Sequence, residues 1–87
     1  GYETTNSGHK IQFIHLPQEC TIKIFTVTGE LVTTLDHDDR FFSTRWWNLR
    51  SGNNQNGPEV APGLYIYVVE TQAPENLKHI GKFVVVR

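Results

Sequence analysis

The run Gly63-Leu64-Tyr65-Ile66-Tyr67-Val68-Val69-Glu70, followed after a polar break by Gly81-Lys82-Phe83-Val84-Val85-Val86-Arg87, constrains the chain more than any other stretch. Both runs are rich in β-branched and aromatic residues. The segment between them, Gln72-Ala73-Pro74-Glu75-Asn76-Leu77, carries the Pro and Asn that break a pleated ladder. A hairpin is predicted, with the chain finishing as a strand. Apolar residues fill successive positions in both runs, so neither face of the hairpin is plainly a wet one. One face is expected to pack on the chain's own core and the other to meet something beyond a small domain. A module attached to something larger follows from this stretch.

The upstream sequence repeats the same strand grammar. In Lys10-Ile11-Gln12-Phe13-Ile14-His15-Leu16, Ile11 and Phe13 alternate with polar neighbours, and Pro17 ends the ladder because it has no N–H to donate. Cys20 to Val27 alternates most cleanly, with Cys20, Ile22 and Ile24 on one face. Thr28-Gly29 makes a tight turn in which Gly29 supplies a positive φ, and Glu30 to Leu35 returns as the hairpin partner. Asp36-His37-Asp38-Asp39-Arg40 reads as a charged turn, Phe41 to Trp47 as an aromatic-rich strand, and residues 48–62 as a surface loop with a short strand or bridge near Glu59-Val60. Residues 1–9 are polar and aperiodic and read as a lead-in; residues 10–87 read as one domain. No segment carries the i, i+3, i+4, i+7 apolar stripe of a helix. Six or seven short strands with turn signals between them and no helix read as an all-β, antiparallel β-sandwich.

Charge and motif content narrow the function. Eight Lys and Arg against nine Asp and Glu give a net charge of −1, with no basic field for a phosphate backbone, so nucleic acid is not an expected partner. No run approaches the roughly 18–20 apolar residues that cross a bilayer, and membrane insertion is not expected. The absence of Met, position 1 included, reads as a fragment or a processed product. Cys20 is alone, and a lone Cys opening a strand reads as a small buried hydrophobe rather than a reactive thiol.

Asp36, His37, Asp38 and Asp39 gather three carboxylates and an imidazole, yet their spacing matches no EF-hand and consecutive turn residues point apart, so a solvated turn is expected rather than a cation site. His9, His15 and His79 form no ligand pair, and the histidines are expected at the surface. Ser7, Ser43 and Ser51 lack any activating motif, and Glu30, Glu59, Glu70 and Glu75 are dispersed. No enzymatic activity and no cofactor are expected.

The order of these pieces resembles a known family. Thr21 to Val32 with its tight Gly turn, Trp47-Asn48-Leu49, the block Asn56-Gly57-Pro58-Glu59-Val60-Ala61-Pro62-Gly63-Leu64-Tyr65-Ile66-Tyr67 and the closing strand Gly81 to Arg87 are similar to the Ig-like domain of the flagellar hook-capping protein. They are equally similar to C-terminal modules of secreted bacterial proteins, including the sorting domains of the type IX secretion route. The resemblance spans about residues 20–87. It implies a seven-stranded sandwich without catalytic residues, in an extracellular or cell-surface bacterial setting. It implies a C-terminal accessory module of a larger exported protein, whose partners are an upstream domain of the same polypeptide or secretion and attachment machinery.

Within that frame Gly63 is a structural turn residue, entering its strand after the rigid Pro62 at a positive φ. Alternation puts Tyr65 and Tyr67 on one face and Leu64, Ile66 and Val68 on the other, and the aliphatic set is expected in the core. Trp46 and Trp47 face opposite ways; the resemblance gives Trp47 the structural position and leaves Trp46 exposed. Trp46, Phe42, Tyr65, Tyr67 and Phe83 are thus the candidate contacts for a protein interface. The alternative is a carbohydrate-binding or adhesion module stacking these rings on a polysaccharide.

Overall fold

The computed structural model describes residues 3–7, 10–52, 55–71 and 77–86, with backbone alone for 3–7 and 10. Seven strands appear among the described residues: β1 (Glu3–Ser7), β2 (Lys10–Ile14), β3 (Glu19–Thr26), β4 (Leu31–Asp38), β5 (Arg45–Trp47), β6 (Gly63–Thr71) and β7 (Lys78–Val85). They form two antiparallel sheets, one in the order β1-β2-β5 and one in the order β4-β3-β6-β7. No α-helix occurs among the described residues. The all-β sandwich architecture expected from the strand grammar is the one observed.

The two sheets meet through the side chains that alternation turns inward. β2 contributes Ile11 and Phe13, and β5 contributes Trp47; opposite them lie Cys20, Ile22, Ile24, Leu35, Tyr65, Tyr67, Val69, Phe83 and Val85. Phe83 is the hub of this core. Its ring packs edge-on to Phe13 at 6.1 Å and to Trp47 at 5.9 Å, crossing from one sheet to the other, and stacks on Tyr65 at 5.8 Å within its own sheet. Edge-to-face and offset geometries of this kind satisfy the ring quadrupoles and add to the burial of apolar area.

Three sequence expectations are corrected here. Residues 3–7, read as lead-in, form a strand paired with β2 from Glu3↔Ile14 to Ser7↔Lys10, because backbone pairing tolerates a polar, aperiodic sequence at a sheet edge. Gly1, Tyr2, Gly8 and His9, also assigned to the lead-in, and the hairpin link 72–76 lie outside the described residues. The charged turn is displaced: β4 continues through Asp38, paired with Glu19, so Asp36 and Asp38 point outward and His37 is buried rather than surface-exposed. The aromatic strand shrinks to Arg45–Trp47, since Asp39 Oδ1 accepts the N–H groups of Phe41 and Phe42 at 2.8 and 3.1 Å and holds that segment as a turn.

The fourth correction concerns β6. Tyr65, Tyr67 and Val69 are its buried set, whereas Leu64 is exposed and Ile66 and Val68 are half-buried. The tyrosines go inside because each has a place for its polar end or its bulk. The Tyr65 hydroxyl donates to the carbonyl of Ala61 at 2.6 Å, four residues upstream, the device that pins a tyrosine at a sandwich corner. Tyr67 packs against Phe13 at 5.3 Å and lies over Gly81 of β7.

The turn glycines behave as expected. Gly29 has φ +93° and its N–H donates to Thr26 O at 3.0 Å, and Gly63 enters β6 at φ +148°. The 48–62 connection is anchored by Leu49, buried at φ +62°, whose carbonyl accepts from Val60 N–H at 2.8 Å, and by the bridge Arg50↔Glu59.

Candidate docking face

The inner side of the four-stranded sheet is the core; its outer side carries Leu31, Leu64, Ile80 and Val84 exposed, while Phe41, Phe42 and Trp46 are exposed on and beside β5. Phe25 of β3 stands opposite Ile66 of β6 on one side and Leu31 of β4 on the other, past a bulge at Ile24/Phe25. Leu64 faces Val84 and Val68 faces Ile80 across β6 and β7. Side chains directly opposite lie about 5 Å apart, so these residues form one patch continuous through Leu64, Ile66 and Val68 of β6, with Lys82 of β7 set into it opposite Ile66. Leu31 (58% exposed), Ile80 (63%) and Val84 (52%) are its most open members. Charge gathers toward the opposite end of the same face, where Glu70 Oε1 lies 3.6 Å from Lys23 Nζ and 3.9 Å from Lys78 Nζ. A half-apolar, half-ionic face suits contact with a folded surface that is itself partly wet.

The sequence-derived contact residues separate into two groups. Trp46 and Phe42 are exposed, at 43% and 65%. Tyr65, Tyr67 and Phe83, at 7%, 5% and 7%, are core residues, which corrects their assignment: the shared ring cluster with Phe13 and Trp47 takes their faces away from any partner. Trp47 is fully buried, its indole N–H donating to Arg50 O at 3.0 Å, so the two tryptophans divide as the resemblance implied. The face members that sequence reasoning did not single out are Phe25, Leu31, Ile80 and Val84. Their signal was present in the unbroken apolar runs, but a pattern without a polar face does not say which side is covered.

Chemistry at the remaining candidate groups is sparse. Cys20 is buried, and burial pushes its thiol from 9.0 up to about 11, away from the thiolate that nucleophilic or metal chemistry requires. His37 sits directly opposite Cys20 across β3 and β4, with its Nε2 buried and without a hydrogen-bond partner. Gln18, Glu19, Asp38, Asp39, Arg40 and Phe41 line a shallow open hollow at the end of β4. Among the described residues no three His, Cys, Asp or Glu side chains converge as a metal-binding set.

Fold and face together define a small two-sheet β-sandwich whose four-stranded sheet leaves apolar side chains exposed on its outer face. A solved structure of PorZ, described as "an essential bacterial surface component of the type-IX secretion system" of Porphyromonas gingivalis, matches the whole chain with a TM-score of 0.78 at 22% identity. The match spans 12% of the PorZ chain, so the sandwich is similar to one portion of a much longer protein. This likeness shows the fold. No family model and no curated protein matches the chain, so the finer resemblance to hook-capping domains is carried by no family match.

Proposed function

We propose that this sandwich is a non-catalytic accessory module of an exported bacterial protein, at the cell surface or outside the cell, docking through the outer face of its four-stranded sheet. The partner is either a neighbouring domain of the same polypeptide or the machinery that exports or attaches it. The observation that carries the reading is the continuous apolar patch of Leu31, Phe25, Ile66, Leu64, Val84 and Ile80, outside a core that is already complete without it. A protein of this size rarely leaves such a patch wet unless something covers it. The fold likeness to part of a type IX secretion component supports the secretion-linked setting. The polysaccharide alternative has lost Tyr65, Tyr67 and Phe83 to the interior, which leaves Phe42 and Trp46 as its rings.

Truncation at residue 63 is a poor test, because it removes three rings of the core along with the face. The pair Leu31→Glu and Leu64→Glu changes only exposed side chains on β4 and β6. In the parent polypeptide this double variant is expected to lower the secreted or surface-located fraction severalfold, while the isolated sandwich keeps its wild-type stability. Unchanged export and location would overturn the proposal. Loss of retention on a polysaccharide column in Trp46→Ala, with export intact, would favour the sugar-binding alternative.

A further inference from the structure

We infer that the outer edge of β7 is a strand-addition site for an extended peptide segment in which acidic and apolar residues alternate on one face. This rests on the accessory-module reading and names the chemistry of one partner. Among the described residues β7 ends the four-stranded sheet and pairs with β6 alone. That pairing runs in unbroken register from Gly63↔Val85 to Glu70↔Lys78, so the opposite edge of β7 is regular over its eight residues. A regular free edge presents alternate N–H and C=O groups to whatever extended chain comes beside it. Among the described residues, none from 80 to 86 takes part in the backbone hydrogen bonds made outside the sheet ladders.

The same chain covers its other long edge. Along β4, Gly52 N–H donates to Val32 O at 3.2 Å, Gln55 Nε2 donates to Thr34 O at 3.2 Å, and the Thr33 hydroxyl donates to Gly52 O at 2.9 Å. Part of the 48–62 connection is therefore laid against β4 as a cover. Among the described residues β7 has no such cover, bulge or proline; the edge device it carries is charge, Lys78 and Lys82, which repels a second like-charged edge while leaving the ladder open to a strand of opposite charge.

The flanking side chains specify the occupant. Lys78, Ile80, Lys82 and Val84 alternate along the outer face of the edge, all exposed. Lys78 shares Glu70 with Lys23, and Lys82 has no ion pair among the described residues. Carboxylates on an added strand opposite the two lysines, with apolar residues opposite Ile80 and Val84, complete four favourable cross-strand pairs. A second copy of this chain fits worse. Antiparallel self-pairing with the outer side chains on one face puts Lys82 opposite itself, opposite Lys78, or diagonal to itself, and like charges so placed are destabilising.

The test uses the isotope-labelled chain and the synthetic peptide Val-Thr-Glu-Thr-Val-Thr-Glu, which in antiparallel register sets Glu against Lys82 and Lys78. Amide shifts and slowed amide exchange are expected along residues 80–86. Binding is expected to weaken about fivefold or more in Lys82→Glu, and with a peptide carrying Lys in place of Glu. A peptide N-methylated at alternate residues, unable to complete the ladder, is expected not to bind. Absence of shifts at about millimolar peptide, shifts confined to Phe25, Leu31 and Leu64, indifference to N-methylation, or self-association through β7 would each overturn the inference. Peptide failure with export still lost in Leu31→Glu/Leu64→Glu removes strand addition alone; intact export in that variant removes the docking reading beneath it.

Discussion

Tyr67 and Gly81 stand directly opposite one another across β6 and β7, and the phenol ring of Tyr67 occupies the space that a Cβ on residue 81 would need. The ring cannot swing aside freely, because Phe13 at 5.3 Å, Phe83 at 6.1 Å and the His79 ring at 6.1 Å surround it. Gly81→Ala is therefore expected to lose about 1–3 kcal/mol by overpacking. In the background Tyr67→Leu the same change should cost much less, and a double-mutant cycle in urea reads that coupling. Additive losses would show that the ring does not hold the position.

Tyr65 and Phe83 should report the core in two different ways. Tyr65→Phe keeps the stacked ring but removes the donor to Ala61 O, a loss of about 1–2 kcal/mol. Phe83→Ala removes the hub and should cost about 3–5 kcal/mol, enough to unfold a domain of this size, whereas Val84→Ala next to it should stay within about 0.5 kcal/mol. Denaturant midpoints of the three variants check the contrast.

Cys20 makes stability fall at alkaline pH. Its folded thiol titrates near 11 and its unfolded thiol near 9.0, because burial disfavours the thiolate. Below pH 9 both states hold the proton and the contribution is fully present. Between 9 and 11 the unfolded chain releases its proton first, so stability drops by at most about 1.4 kcal/mol per pH unit. The measurement is the difference between wild type and Cys20→Val, which isolates the thiol. A parallel pair of stability curves would contradict the burial effect.

His37 buries Nε2 without a partner, which is a cost rather than a contact. Replacing it by an apolar residue of similar reach, His37→Leu, is expected to leave stability unchanged or raise it by up to about 1–3 kcal/mol. Thermal melts of the two proteins decide; a loss beyond about 1 kcal/mol would mean that His37 makes an interaction its surroundings do not reveal.

Much of the architecture was legible because strand periodicity is local. Cys20, Ile22 and Ile24 alternate in the sequence and are buried together, and Gly29 and Gly63 sit where the backbone needs a positive φ. The docking face was only half legible. The continuous apolar runs of β6 and β7 announced that surface would be left over, but not that the left-over set would be Leu64, Ile80 and Val84 rather than the tyrosines. Hydrophobicity alone favours aliphatic burial. The choice turned on the carbonyl of Ala61 within reach of Tyr65 and the empty side-chain position at Gly81 under Tyr67, both contributed by residues distant along the pattern or on another strand.

From its sequence alone this chain was bound to be antiparallel β-structure, since its apolar residues recur with a period of two, its turns carry Gly, Pro and Asn, and no helical stripe exists. Only the tertiary structure decided which face of each strand is inside, that Glu3–Ser7 joins the smaller sheet, that His37 is buried at the end of β4, and that, among the described residues, β4 is covered while the edge of β7 from Ile80 onward is not. The reason is physical: a period of two divides a strand into two sets, and only the shapes and polar groups of the facing sheet choose between them.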